Sequence, residues 1–206
     1  MVKKILIIFI LFSTKHFHSQ NLDFKILKAV NQTDMPCWDK TMKGVSFSVY
    51  PAMPVSVIGI WTHGYINKDE VMMRNGYKSA VSIAFAIGLS TGLKYAVNRT
   101  RPFNEYPNDI VKRDNAGPYS FPSGHTTAAF ATATALSLSY KKWYVTVPAY
   151  AYASMVGYSR MRLGMHYGSD VIGGMIVGIG SGLLIWKLDE ILTKNNFYRK
   201  NSSIVE

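Results

Sequence analysis

Residues 159–170 read Ser-Arg-Met-Arg-Leu-Gly-Met-His-Tyr-Gly-Ser-Asp. The stretch closes an uncharged run, Trp143 to Tyr158, and opens an apolar one, Val171 to Trp186. Long runs on both sides predict two packed or membrane-crossing helices joined at this point. A packed or lipid-facing segment avoids charge, yet Arg160, Arg162, His166 and Asp170 all fall here. His166 and Asp170 are four residues apart, so on the first turn of the following helix they would share one face. An imidazole beside a carboxylate, with arginines upstream, suits attack on an anionic centre. The stretch reads as a phosphoryl-transfer nucleophile.

Further runs extend outward from this junction. Val45 to Asn67 carries no charge and is long enough to span a bilayer, with Pro51 and Pro54 predicting a kink near its start. Lys68 to Lys78 reads as a polar connection, and Ser79 to Leu93 as an apolar, small-residue-rich run ending at Lys94. Asn98 to Ser120, with Gly117 and Pro118, reads as a loop. Phe121-Pro-Ser-Gly-His125 then opens a run through Ser139, its Pro and Ser being helix-start signals. Lys141 and Lys142 form a short turn, and the tail from Lys187 is mostly polar. The expected fold is all-α: a membrane-embedded bundle of about five core helices within residues 21–206.

Two elements precede that bundle. Met1 to Gln20 has the order of an export signal: Lys3 and Lys4, apolar Ile5 to Phe12, then polar residues. It reads as a signal cleaved near Ser19 to Asn21, or as an uncleaved anchor. Leu22, Ile26, Leu27 and Val30 outline a short amphipathic helix. That helix is expected to pack, with no part in the chemistry.

The chain of 206 residues suits one domain. Its net charge of +11 and pI near 9.7 would serve nucleic acid, an anionic membrane surface or a phosphate-bearing substrate. No nucleic-acid-binding motif accompanies the charge, so nucleic acid is set aside. Mean hydropathy is only +0.05, low for a bundle wholly immersed in lipid, but charges are clustered between long uncharged stretches. The single Cys37 excludes an intrachain disulfide and a multi-cysteine metal site, and reads as a buried free thiol.

If each apolar run crosses the bundle once in alternating directions, Lys94–Arg101, Ser123–His125 and Arg160–Asp170 share one end. The Lys141–Lys142 turn, the Lys68–Lys78 connection and the basic tail share the other. The positive-inside rule makes that second end cytoplasmic, and an export signal before Val45 gives the same direction. The first end then faces outward, in a bacterial-type inner membrane. It gathers Lys94, Arg101, Ser123, Gly124, His125, Arg160, His166 and Asp170. Arg101 and Arg160 each suit a two-oxygen grip on phosphate, and Lys94 supplies a point charge. Ser123 and Gly124 at a helix start offer a hydroxyl, N–H groups and close backbone approach. Two histidines remain for nucleophile and general acid.

Lys94-Tyr-Ala-Val-Asn-Arg-Thr-Arg101-Pro102, Pro122-Ser-Gly-His125, and Ser159-Arg160 with His166 and Asp170 together resemble the tripartite signature of the type 2 phosphatidic acid phosphatase superfamily. That superfamily also includes bacterial acid phosphatases and vanadium haloperoxidases. All three parts match in order and spacing, and the resemblance covers Leu22 to about Trp186. It implies a metal-independent, cofactor-free phosphomonoesterase acting on a phosphorylated lipid at the membrane. His166 would be the nucleophile, Asp170 its orienting carboxylate and His125 the general acid and base. Lys94, Arg101, Ser123, Gly124 and Arg160 would bind phosphate. Arg99 and Arg162 lie beside the signature and are expected to be solvated or to face lipid headgroups. The alternatives are an exported soluble acid phosphatase in the periplasm, a haloperoxidase, and a non-catalytic membrane or transport protein. Phosphatidate, phosphatidylglycerol phosphate, polyprenyl pyrophosphate and lipid A phosphates remain open as substrates.

Overall fold

The computed structural model describes residues 16–32 and 35–202. The apolar part of the expected export signal lies outside the described residues. The chain forms α1 (His16–Asn31), α2 (Pro36–Phe47), α3 (Val49–Ile66), α4 (Glu70–Val97), the short α5 (Pro102–Glu105), α6 (Gly124–Tyr140), α7 (Trp143–Arg162) and α8 (Gly168–Ser202). Among the described residues there is no strand, as the apolar runs predict.

Helix α6 is the centre, packed against α3, α4, α7 and α8. Every residue from Thr126 to Ala135 is buried, as expected of a helix without a polar face. Its small side chains allow close neighbours, and α8 answers with a stripe of Gly174, Gly178 and Gly182. A Cβ at Gly178 would lie 2.5 Å from the Thr127 carbonyl oxygen, and one at Gly174 would lie 2.7 Å from that of Ser123. Close packing of small residues is how helices associate where lipid offers no hydrophobic drive. Here it also fixes the start of α8 against the start of α6.

Three helical segments are long and apolar enough to cross a membrane: Pro36–Ile66, Glu70–Glu105 and Gly168–Lys194. Val55, Ile58, Val81, Phe85, Ile172 and Ile176 point outward from them, as lipid contact requires. The low mean hydropathy comes mainly from the charged connections and tail, to which buried Thr126, Thr127, Thr132 and Thr134 on α6 and the buried charges at one end add a little.

Several boundaries depart from the expectation. The first span starts earlier, at Pro36, and breaks at Ser48. Pro51 sits in the first turn of α3, where its missing N–H costs nothing. Most of the Lys68–Lys78 connection is helical: Asp69 caps α4 by accepting from the Met72 N–H at 3.0 Å. Arg74 and Lys78 then reach Asp189 on α8 at 2.7 and 3.4 Å, so these charges bind helices together. The tail from Lys187 continues α8. Cys37 is free but exposed, because the first turn of α2 lies at the surface.

Candidate active site

The three signature segments are stitched to one another at one end of the bundle. From the C-terminal turn of α4, Lys94 Nζ donates to the Pro122 carbonyl at 2.7 Å. Arg101, in the link to α5, donates through Nη1 to the Met165 carbonyl at 2.8 Å. The Ser123 N–H donates to the Asp170 carbonyl at 3.0 Å. Each segment thus holds the other two, and the expected site residues converge.

Arg101 also donates from Nη1 to His166 Nε2 at 3.3 Å. A guanidinium has only donors, so Nε2 must present its lone pair and the ring proton must sit on Nδ1. Nδ1 faces Asp170 Oδ2 at 3.5 Å, beyond hydrogen-bond length, and has no other partner. Burial pulls the His166 imidazole down to about 3. The interaction with Asp170 opposes that drop, while the charges of Arg101 and Arg160 deepen it. The result is a neutral imidazole with its lone-pair nitrogen, Nε2, turned toward an arginine. His166 precedes α8 rather than riding on it, whereas Asp170 lies in the first turn. Asp170 reaches back to the Tyr167 N–H at 2.9 Å, the reverse half of a capping box. That contact keeps the His166 backbone next to the carboxylate.

Arg160 is buried at the end of α7. Its Nη1 donates to Ser46 Oγ at 2.6 Å and to Asp114 Oδ2 at 2.8 Å, while Nε is buried with no partner. A donor left unpaired in a buried site costs stability unless something fills it, and an anion would. Ser123 is wholly buried ahead of Gly124, the first residue of α6. The first-turn N–H groups of α6 have no intrahelical carbonyl to reach. The charges of Arg101 and Arg160 act on Lys94, His125 and His166 alike. His125 stands edge-on to Tyr50 at 5.3 Å. With Lys94 and Gly124 it forms the polar end of a cleft of about 190 Å³ whose walls include Val49, Met53, Ile87 and Ala128 from α3, α4 and α6.

Two expectations fail here. Arg99 is not a headgroup-facing cation. It donates to Asp170 Oδ1 at 2.8 Å, to Ser169 Oγ at 2.6 Å and to Asp23 Oδ2 at 3.0 Å, and lies 4.0 Å over the Tyr167 ring. Arg162 is buried rather than solvated, bonded to Asp39 at 2.7 Å and to the Val30 carbonyl at 2.9 Å. It anchors α1 and α2 to the end of α7. Residues that sequence reasoning missed are Ser120, whose hydroxyl donates to Asp170, together with Asp114 and Asp23. One signal did exist for Arg99. It stands two residues before Arg101, inside the first signature segment, Lys94 to Pro102.

A helical bundle with membrane-length segments and a buried, cation-lined site at one end is the architecture of an integral membrane protein. Residues 76–194 match the PAP2 superfamily, and the chain belongs to it. It is 32% identical over 135 residues to the lipid A 1-phosphatase of Porphyromonas gingivalis, a match covering 64% of this chain and only 28% of that protein. Against the lipid A 4'-phosphatase of Bacteroides thetaiotaomicron the identity is 27%, over 84% of this chain and 79% of that one. The crystal structure of the first transmembrane PAP2 type phosphatidylglycerolphosphate phosphatase from Bacillus subtilis superposes with a TM-score of 0.70. The identity is 26%, and the match covers 92% of this chain and 95% of that one.

Proposed function

We propose that the chain is a membrane lipid phosphatase that removes a terminal phosphate through a phosphohistidine on His166. The observation that supports this most is the cleft between α3, α4 and α6: apolar along its walls, and ending at Lys94, Gly124 and His125. A lipid chain suits the walls and a phosphate the polar end. Three membrane-length segments weigh against the exported soluble phosphatase.

In this mechanism His166 Nε2 attacks phosphorus in line and the bond to the leaving oxygen breaks. His125 gives its proton to that oxygen, then takes one from water. The water attacks phosphorus, the P–N bond breaks, and phosphate leaves. Asp170, facing Nδ1, offsets the imidazolium charge as it develops. Lys94, Arg101, Arg160, Ser123 and the Gly124 N–H stabilise charge on the transferring group, where fixed donors act most strongly. The site faces away from the cytoplasm in this reading. Its support is the gathering of Arg74, Lys78, Lys141, Lys187 and Lys194 around one groove with Trp186, where the positive-inside rule and an aromatic belt would put the inner surface.

The test is release of inorganic phosphate by purified protein from phosphatidate, phosphatidylglycerol phosphate, a polyprenyl pyrophosphate, a lipid A phosphate and p-nitrophenyl phosphate. Turnover of a lipid phosphate well above that of p-nitrophenyl phosphate, retained in EDTA and inhibited by vanadate, is expected. Equal or better turnover of the soluble ester would overturn the lipid assignment.

A further inference from the structure

We infer that Asp23, on α1 and outside the segment matched to the family, is a positioning residue for the reaction, acting on Asp170 through Arg99. The inference rests on the reading of His166 as nucleophile and Asp170 as its carboxylate.

Asp23 is almost fully buried, although α1 is otherwise a packing helix. Its Oδ1 accepts from the Ser169 N–H at 2.9 Å, and its Oδ2 accepts from Ser169 Oγ and from Arg99 Nη2. Arg99 is thereby fixed on three sides: by Asp23, by Asp170, and by the Tyr167 ring beneath it. The Tyr167 hydroxyl donates to Glu105 at 2.7 Å, which anchors that ring. A long guanidinium side chain held by one carboxylate alone would lose much of its fixed geometry. Held by two, it places Oδ1 of Asp170. The other oxygen, Oδ2, is set by the Ser120 hydroxyl and the Tyr167 N–H. The orientation of the Asp170 carboxylate toward His166 Nδ1 therefore depends on both sides of this clamp.

Charge follows the same path. A carboxylate neutralised by a whole arginine has less field to offer a developing imidazolium. Asp23 takes up part of the Arg99 charge, so Asp170 keeps more of its own for His166. Removing the Asp23 charge would leave the phosphate clamp of Lys94, Arg101 and Arg160 untouched while weakening nucleophile activation.

The experiment compares Asp23→Asn, Asp23→Glu and Arg99→Lys with wild type, using a short-chain phosphatidate in detergent micelles. It measures kcat, KM, competitive inhibition by inorganic phosphate and the rate of phosphohistidine formation. Asp23→Asn should lower kcat and phosphohistidine formation about tenfold, short of the roughly hundredfold cost of a 1 Å misplacement. KM and phosphate inhibition should stay within about twofold, and Asp23→Glu should recover most of the rate. An unchanged kcat, or a parallel loss of phosphate affinity and melting temperature, overturns the inference in favour of simple packing. If Asp23→Asn does not fold, Arg99→Lys is measured in its place, since it keeps a cation there but cannot bridge both carboxylates as a guanidinium does; an unchanged kcat there overturns the inference as well. Absence of phosphohistidine in wild type removes the underlying reading, and shows before any variant is made.

Discussion

At one end of the bundle Arg160 is 1% exposed, Arg101 5% and Asp170 0%. At the other, the Arg74 side chain is 50% exposed, and Lys187 and Lys194 more so, paired with Glu190 across single helical turns. The residue types are the same and their surroundings are opposite. Exposed pairs of this kind contribute little, because water screens them, enough to dress the end of a helix. Burying a charge costs several kcal/mol before any partner repays it. At the site end that repayment is incomplete, since Arg160 Nε and His166 Nδ1 lack hydrogen-bond partners.

That contrast orders the expected effects. His166→Ala removes the nitrogen proposed to attack phosphorus and should abolish turnover and phosphoenzyme together. Near-native phosphate release by the variant would break the contrast at its centre. Arg101→Ala and Arg160→Ala each delete a charge proposed to grip the transferring phosphoryl group, and each should lower kcat/KM by about a hundredfold or more. Steady-state kinetics on protein with a retained melting temperature checks this. A loss confined to folding yield would make them structural cations.

A pH effect sharpens the comparison further. Folded His166 stays neutral down to about 3, whereas an unfolded imidazole takes up a proton near 6.5. Between those values the unfolded chain binds a proton that the native one does not, so stability falls as pH drops through that window. His166→Gln lacks this contribution, and its melting temperature should fall less between about pH 7 and pH 4 than that of wild type. Equal slopes would show that burial does not hold His166 neutral. The smallest effect belongs to the opposite end. Lys187→Ala and Lys194→Ala should leave kcat/KM within about twofold and the melting temperature unchanged.

The site was legible in the sequence where its residues sit in local motifs. Lys94 with Arg101, Ser123 with His125, and Arg160 with His166 and Asp170 each fall within a dozen residues, and alternating helices bring them to one end. Less legible were contacts made across the chain. Arg99 meets Asp23 and Asp170 across more than seventy residues, and no periodicity encodes such a pairing. Asp23 stands four residues before Leu27 and seven before Val30, on the apolar stripe of α1, and is buried with Leu27; a carboxylate on that stripe marks a buried polar contact without naming its partner. The helix limits misread at Lys68–Lys78 have a similar cause: charges on the first turns of α4 resemble a loop until Asp189 on α8 is seen to receive them.

The most direct measurement is to quench wild-type protein during turnover of a lipid phosphate and locate covalent phosphate by mass spectrometry under alkaline conditions that preserve phosphoramidates. One phosphoryl group on His166, absent from His166→Ala, is expected. Phosphate on another residue, or none during steady turnover, would contradict the assignment of His166 as nucleophile.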